Sequence, residues 1–145
     1  MITFDELTSK ISDWEIKFLF KVLLERKYRI SHDRMPSYAE HNSFVNNHPY
    51  HIWSIVRLNE IPIGTVYIGC DNSVGIHILT EFRMHRKHVI QAVVDRFKPL
   101  TGKPSTVNRN FIFNIAVGDL EYEKDLRDCG ATPLQITYQI KGKNK

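Results

Sequence analysis

The sequence predicts an α+β domain: a mixed, mostly antiparallel central sheet flanked by helices, in the order β-α-α-β-β-β-α-β-α-β. Three observations carry that prediction. His51–Leu58 and Ile61–Cys70 are apolar runs joined by Asn59-Glu60 alone, the spacing of a two-residue hairpin. Val74–Leu79 alternates like a strand and leads through a basic segment, Arg83–His88, into Val89–Phe97, where Val89, Ala92, Val93 and Phe97 fall near helical spacing. Phe111–Val117 is a continuous apolar run, the pattern of a strand buried on both faces. It follows a crossover helix, so it should run parallel to Val74–Leu79 and splay from it near that strand's C-terminal end.

The elements follow in chain order. Ile2–Leu7 alternates apolar and polar residues and reads as a first strand. Ser12 or Asp13 can cap a helix whose stripe is Ile16, Leu19, Phe20, Leu23 and Leu24, running through Arg26. Lys27 to Pro36 is irregular and polar. Ser37 followed by Glu40 is a capping box, so a short helix should run to about Asn46. Pro62 sits at the start of its strand, where a missing N–H is tolerated. Asp71-Asn72-Ser73 is the next turn, and Val74–Leu79 completes an antiparallel meander. Lys98–Asn108, with Pro99, Gly102 and Pro104, is a loop. Asp119 can cap a helix through Cys129, which Gly130 stops. Thr132–Ile140 should be the last strand.

Composition sets the bounds. The chain of 145 residues is 42% hydrophobic and 25% charged, which fits one globular domain over residues 1–145. No apolar run approaches a membrane span, and the N-terminus has no secretory pattern. Cys70 and Cys129 lack CxxC spacing and read as reduced thiols of a cytoplasmic protein. A net charge of +4 suits an anionic ligand or nucleic acid, although no nucleic-acid motif accompanies it. The basic tail, Lys141–Lys145, reads as a frayed terminus. Among the seven histidines, His32, His41, His48 and His51 have no zinc spacing, and no metal site is expected. No Gly-x-Ser-x-Gly element suggests a nucleophilic triad.

The basic segment is the most suggestive feature. Free N–H groups and the positive helix end at such a place can hold phosphate. Basic side chains there work against the helix dipole, which favours an anion nearby.

This strand, basic turn and helix, with Ile63–Ile68 before them and Leu126–Ala131 after, resemble the acetyl-CoA-binding core of the GNAT acetyltransferases over roughly residues 30 to 140. In that family the strand is followed by Arg/Gln-x-x-Gly-x-Gly/Ala, whose amides hold the CoA pyrophosphate. Arg83 matches the first position; Arg86 and His88 stand where the family has glycine. The resemblance implies acetyl-CoA as co-substrate. Backbone amides of Ile76 and Ile78 would bond the pantetheine arm and the thioester oxygen. Arg83, Arg86, Lys87 and His88 would be the phosphate contacts. Ile76, Ile78, Asn114 and Tyr122 would wall a cleft between the two parallel strands. Leu126 stands where many members have a tyrosine acid, so Tyr122, one helical turn earlier, takes that role.

The N-terminal region forms the acceptor pocket in this family. Here it offers His32 as base, with Tyr38, His48 and Trp53 as substrate contacts. Ile30–Tyr38 and His48-Pro49-Tyr50 are similar to a GNAT subgroup associated with sugar-nucleotide pathways. That implies a primary amine of a small molecule, an amino sugar or sugar nucleotide. Two readings follow. One is an N-acetyltransferase, monomer or homodimer, with no membrane partner. The other is a non-catalytic GNAT-like module that has lost efficient acetyl-CoA binding and contacts a protein or nucleic acid. Side chains at both glycine positions should weaken acetyl-CoA binding and make it salt-dependent.

Overall fold

The structure is a computed structural model, and it describes residues 1–27, 34–101 and 108–143. Strands β1 (Ile2–Glu6), β2 (Ile52–Leu58), β3 (Ile61–Ile68), β4 (Ser73–Ile78) and β5 (Ile112–Phe113) form one sheet in the order β1-β2-β3-β4-β5. The first four pair antiparallel; β5 pairs parallel to β4, with Ser73 opposite Ile112 and Val74 opposite Phe113. The β2–β3 hairpin closes on Asn59 and Glu60, both at positive φ (48° and 74°), the geometry that matches strand twist.

Helix α1 (Asp13–Leu24) and helix α2 (Tyr38–Asn46) each begin on a complete capping box, Ser12 with Glu15 and Ser37 with Glu40. They cover one face of the sheet. There Ile16, Phe18, Leu19, Val22 and Val45 pack on Trp53, Ile55 and Leu79. Helix α3 (Arg86–Arg96) and helix α4 (Leu120–Asp128) cover the other. Val89, Ile90, Val93, Tyr122 and Leu126 pack there on Val66, Ile68, Val74 and Ile76. Helix α4 ends in a Schellman turn: Gly130, at φ 94°, donates to the Arg127 carbonyl, and Ala131 donates to that of Leu126.

Three elements differ from the sequence prediction. The basic segment is not an open turn: residues Thr80–His85 form a 3-10 turn that runs directly into α3. The apolar run from Phe111 pairs over two residues only. Its side chains are half-buried because β5 is the outer strand and has a single neighbour. Residues 132–140 are not a strand of this sheet; everything from 131 to 143 is exposed. They make no pairing with β5, the outer strand of the sheet. Among the described residues no helix is long and apolar enough to cross a membrane.

One side chain fixes where β5 lies. Asn72 is fully buried and sits at φ 67° in the β3–β4 turn. Its Nδ2 donates to the carbonyls of Leu100 (3.0 Å) and Asn108 (2.7 Å), and its Oδ1 accepts from the Leu100 amide at 2.7 Å. Its own carbonyl accepts from the Ile112 amide at 3.0 Å, which starts β5. Asn72→Ala removes all three side-chain bonds and should cost about 3 kcal/mol or more in urea unfolding. Asn72→Gly should be less damaging by about 1 kcal/mol, since glycine accepts the left-handed backbone. An alanine variant as stable as the parent would show that β5 is held in some other way.

Candidate functional site

The site begins with the ladder of β4. The Leu79 amide donates to Ile63 and the Gly69 amide to Ser73, both at 2.8 Å, so the odd-numbered residues of β4 bond to β3. Alternation then turns the amides of Val74, Ile76 and Ile78 toward β5. Pairing with β5 ends at Val74 opposite Phe113. The amides of Ile76 and Ile78 therefore front the gap where the parallel strands diverge.

Tyr122 reaches this gap from α4. Its ring is buried, and its hydroxyl lies beside the Ile76 amide without completing a hydrogen bond. Burial drives its pKa well above the ordinary phenol value, against the opposing charge of Arg86. The Arg86 guanidinium sits 4.6 Å from the ring centroid. Asn114 is exposed at the rim.

The basic residues are engaged within the chain. Arg83 pairs with Glu121 (3.5 Å), Arg86 with Asp125 (2.8 Å) and Lys87 with Asp128 (2.8 Å). The acids are spaced along one face of α4, so they form a seam against the start of α3. Lys124 and Lys87 bonded to its carboxylate pull Asp128 down to about 2. The amides are engaged too: Phe82 donates to Leu79 and Arg86 to Arg83. At the start of the helical run, the Thr80 amide donates to a Glu25 carboxylate oxygen at 3.0 Å. A glycine-like phosphate turn is therefore not formed at 83–88. Arg86 points inward, and its side chain is 10% exposed; His88 is exposed.

The opposite face of β4 carries a second group that the sequence reading did not single out. Gly75 faces Tyr67 across the strands, and a Cβ at Gly75 would meet that ring at 2.2 Å. The bare backbone lets Tyr67 lie over β4 and stack on Tyr50, with centroids 4.1 Å apart. His77, two residues along, lies 6.0 Å from the Tyr67 ring. Its Nε2 is buried with no hydrogen-bond partner. Burial first, then the charges of Arg26 and Arg86, pushes its pKa down to about 3. The imidazole is thus neutral at physiological pH. Burial raises the phenol of Tyr50 to about 12 and moves that of Tyr67 upward too.

Two of the expected acceptor residues join this cluster. His48 lies 5.0 Å from Trp53, and Trp53 lies 5.1 Å from Tyr50. Trp53 is buried and belongs to the core. Tyr38 lies apart, edge-on to Phe20 of α1 at 5.2 Å. His32 lies outside the described residues. An open cleft of about 420 Å³ occurs elsewhere, between α1 and the start of β3, bounded by Trp14, Lys17, Lys21 and Phe82. None of the expected site residues lines it. Period-two alternation could have put His77 on the face of Trp53; Tyr67 and Gly75 gave no signal without the pairing register. No group of three or more metal-ligating side chains occurs among the described residues.

Solved structures share this architecture. A domain from Methanocaldococcus jannaschii superposes with a TM-score of 0.67 at 17% identity, over 90% of this chain and 87% of that one. A structure from Clostridium difficile, described as a possible acetyltransferase, gives 0.58 at 6% identity, with 99% of each chain covered. A dodecameric spermidine N-acetyltransferase from Vibrio cholerae gives 0.56 at 16%, over 89% of this chain and 78% of that one. No protein-family model and no curated protein matches the sequence. At these identities the likeness is one of fold, and the fold is GNAT-like α+β.

Two measurements probe the site's electrostatics. The His77 pKa is depressed in the fold, so unfolded chains bind its proton first. Its contribution to stability is complete above about 6.5 and is lost as pH falls toward 3. His77→Gln should flatten the fall in urea midpoint between pH 7 and pH 4.5, leaving a residue from His41 and His48, which burial shifts the same way. An unchanged slope would place His77 in water. Asp125→Ala strands the Arg86 charge and should cost about 3 kcal/mol. Glu121→Ala, at an exposed pair, should cost under about 1 kcal/mol. Equal losses would show that the seam has no buried member.

Proposed function

We propose that this chain is an acetyl-CoA-dependent N-acetyltransferase acting on a primary amine of a small molecule. One observation carries the reading: the amides of Ile76 and Ile78 front an open divergence of parallel strands, with the Tyr122 hydroxyl beside the first of them. Those amides would hold the pantetheine arm and the thioester oxygen, as the resemblance implies. The similarity to acetyltransferase folds supports the same reading.

The roles follow from the chemistry. The amine attacks the thioester carbon, the amides stabilise the oxyanion, and the C–S bond breaks as thiolate leaves. Burial keeps the Tyr122 phenol protonated, so it can donate that proton to sulfur. His32 remains the proposed base. His77, neutral and with its unpartnered Nε2 buried, would keep positive charge away from the face where His48 and Trp53 gather. Tyr38, with its ring against Phe20, would contact the acceptor only at the outer end of that face.

Phosphate binding would be by side chains. Arg83 and Lys87, in half-exposed pairs, can exchange Glu121 and Asp128 for phosphate oxygens; His88 is exposed beside them. Arg86 would serve the cleft wall through Tyr122 and Asp125 instead. A second reading, the non-catalytic module contacting a protein or nucleic acid, is favoured by that same seam: the acids already satisfy the charges a pyrophosphate would need.

Titration calorimetry with acetyl-CoA at low and moderate salt separates the two. The proposal expects weak, salt-dependent binding, tightened when Glu121→Gln and Asp128→Asn free Arg83 and Lys87. Thiol release with amino sugars and polyamines as acceptors should fall about 100-fold in kcat for Tyr122→Phe, with KM for acetyl-CoA little changed. Absence of binding by both folded proteins at every salt concentration would leave the module reading.

A further inference from the structure

We propose that residues 132–140 are an exchange arm, which adds as an outer strand to β5 of a second copy of this chain and receives that copy's arm in return. The arm alternates strictly. Leu134, Ile136, Tyr138 and Ile140 share one face, and Gln135, Thr137 and Gln139 share the other. That is the pattern of a strand with one face on a core and one in water. Yet the four apolar residues are 63%, 79%, 86% and 94% exposed. A run of large apolar side chains along one face of an extended segment marks a surface that pairs.

The complementary surface is on the same chain. Strand β5 is the outer strand of the sheet, and among the described residues its far side offers an unpaired ladder edge. The run from Phe111 onward keeps Phe111, Phe113 and Ile115 half-buried against the core on the α3–α4 side. Val117 is 99% exposed. This run is seven residues long and the arm nine, so the arm is long enough to cover the whole run. Within one chain they stay apart: the arm leaves α4 through the Gly130 turn and is exposed along its length. A second copy, related by a two-fold axis, presents an edge to each arm and leaves no arm over, so the assembly closes at two. The partner's arm would also brace the far side of β5, whose near side walls the gap at Ile76. The proposal does not depend on acetyl transfer.

Sedimentation equilibrium of the full chain, with hydrogen exchange on the same samples, tests this. A dimer that dissociates on dilution is expected, with amides of residues 134–140 protected in the dimer and unprotected in the monomer. The pair Ile136→Lys and Tyr138→Lys should give a folded monomer. A chain monomeric at all concentrations overturns the proposal, whether the arm is unprotected or is protected by folding back on its own β5. A dimer that survives both substitutions overturns it too, because its interface then lies elsewhere. Should the variant fail to fold, the exchange pattern of the parent chain still decides.

Discussion

Everything about the candidate site depends on how little of β5 is held. Asn72 ties the β3–β4 turn to the chain at Leu100 and Asn108, and its carbonyl receives the first amide of β5. Two residue pairs later the strands have parted. A longer ladder would have consumed the amides of Ile76 and Ile78 in sheet bonds. A β5 without the Asn72 tether would be placed by its two-residue ladder alone. The gap exists because one buried amide side chain supplies the anchor that a ladder would otherwise supply. The entropy of holding Leu100 and Asn108 in place is offset in part by the same three bonds.

The α3–α4 seam explains why a basic helix start is tolerated. A like-signed dipole end would disfavour these cations. Asp125 and its neighbours on α4 reverse the local field, and Glu25 meets the first free amide at Thr80. The three pairs are unequal. Arg83–Glu121 and Lys87–Asp128 are exposed enough that water and salt compete with them. Arg86–Asp125 is largely withdrawn from water, and a single-sided loss there leaves a buried charge. An incoming anion can therefore compete for the outer two and not for the inner one. Arg86 thus supports the Tyr122 ring, held in place by Asp125.

Local chemistry was legible in the sequence, and long-range geometry was not. Asn59-Glu60 as a hairpin, the capping box at Ser37, and Gly130 as a helix stop are each contained within a few residues, and each formed as its residues require. The parallel run of β5 followed from its crossover helix. Its length did not, because an apolar run is equally consistent with a buried strand and with an outer chain packed on one side. Asn72 read as a turn residue, since its partners lie 28 and 36 positions away. The ion pairs of Arg83, Arg86 and Lys87 were not legible because their acids sit on a different helix. Residues 132–140 carried a true strand pattern, but a pattern does not say which edge a strand pairs with.

The two faces of β4 present opposite proton chemistry under one physical cause. On the α4 face, burial penalises a phenolate, so Tyr122 keeps its proton. On the α1–α2 face, burial penalises an imidazolium, so His77 stays without its second proton. Arg86 acts on both: its charge opposes the rise at Tyr122 and adds to the fall at His77. One strand thus separates a protonated phenol on one face from a neutral imidazole on the other. The strand between them supplies the amides. What separates phenol from imidazole here is side-chain alternation within β4 and α4 packing on one face only, so the contrast follows from the sheet's layering rather than from any single residue.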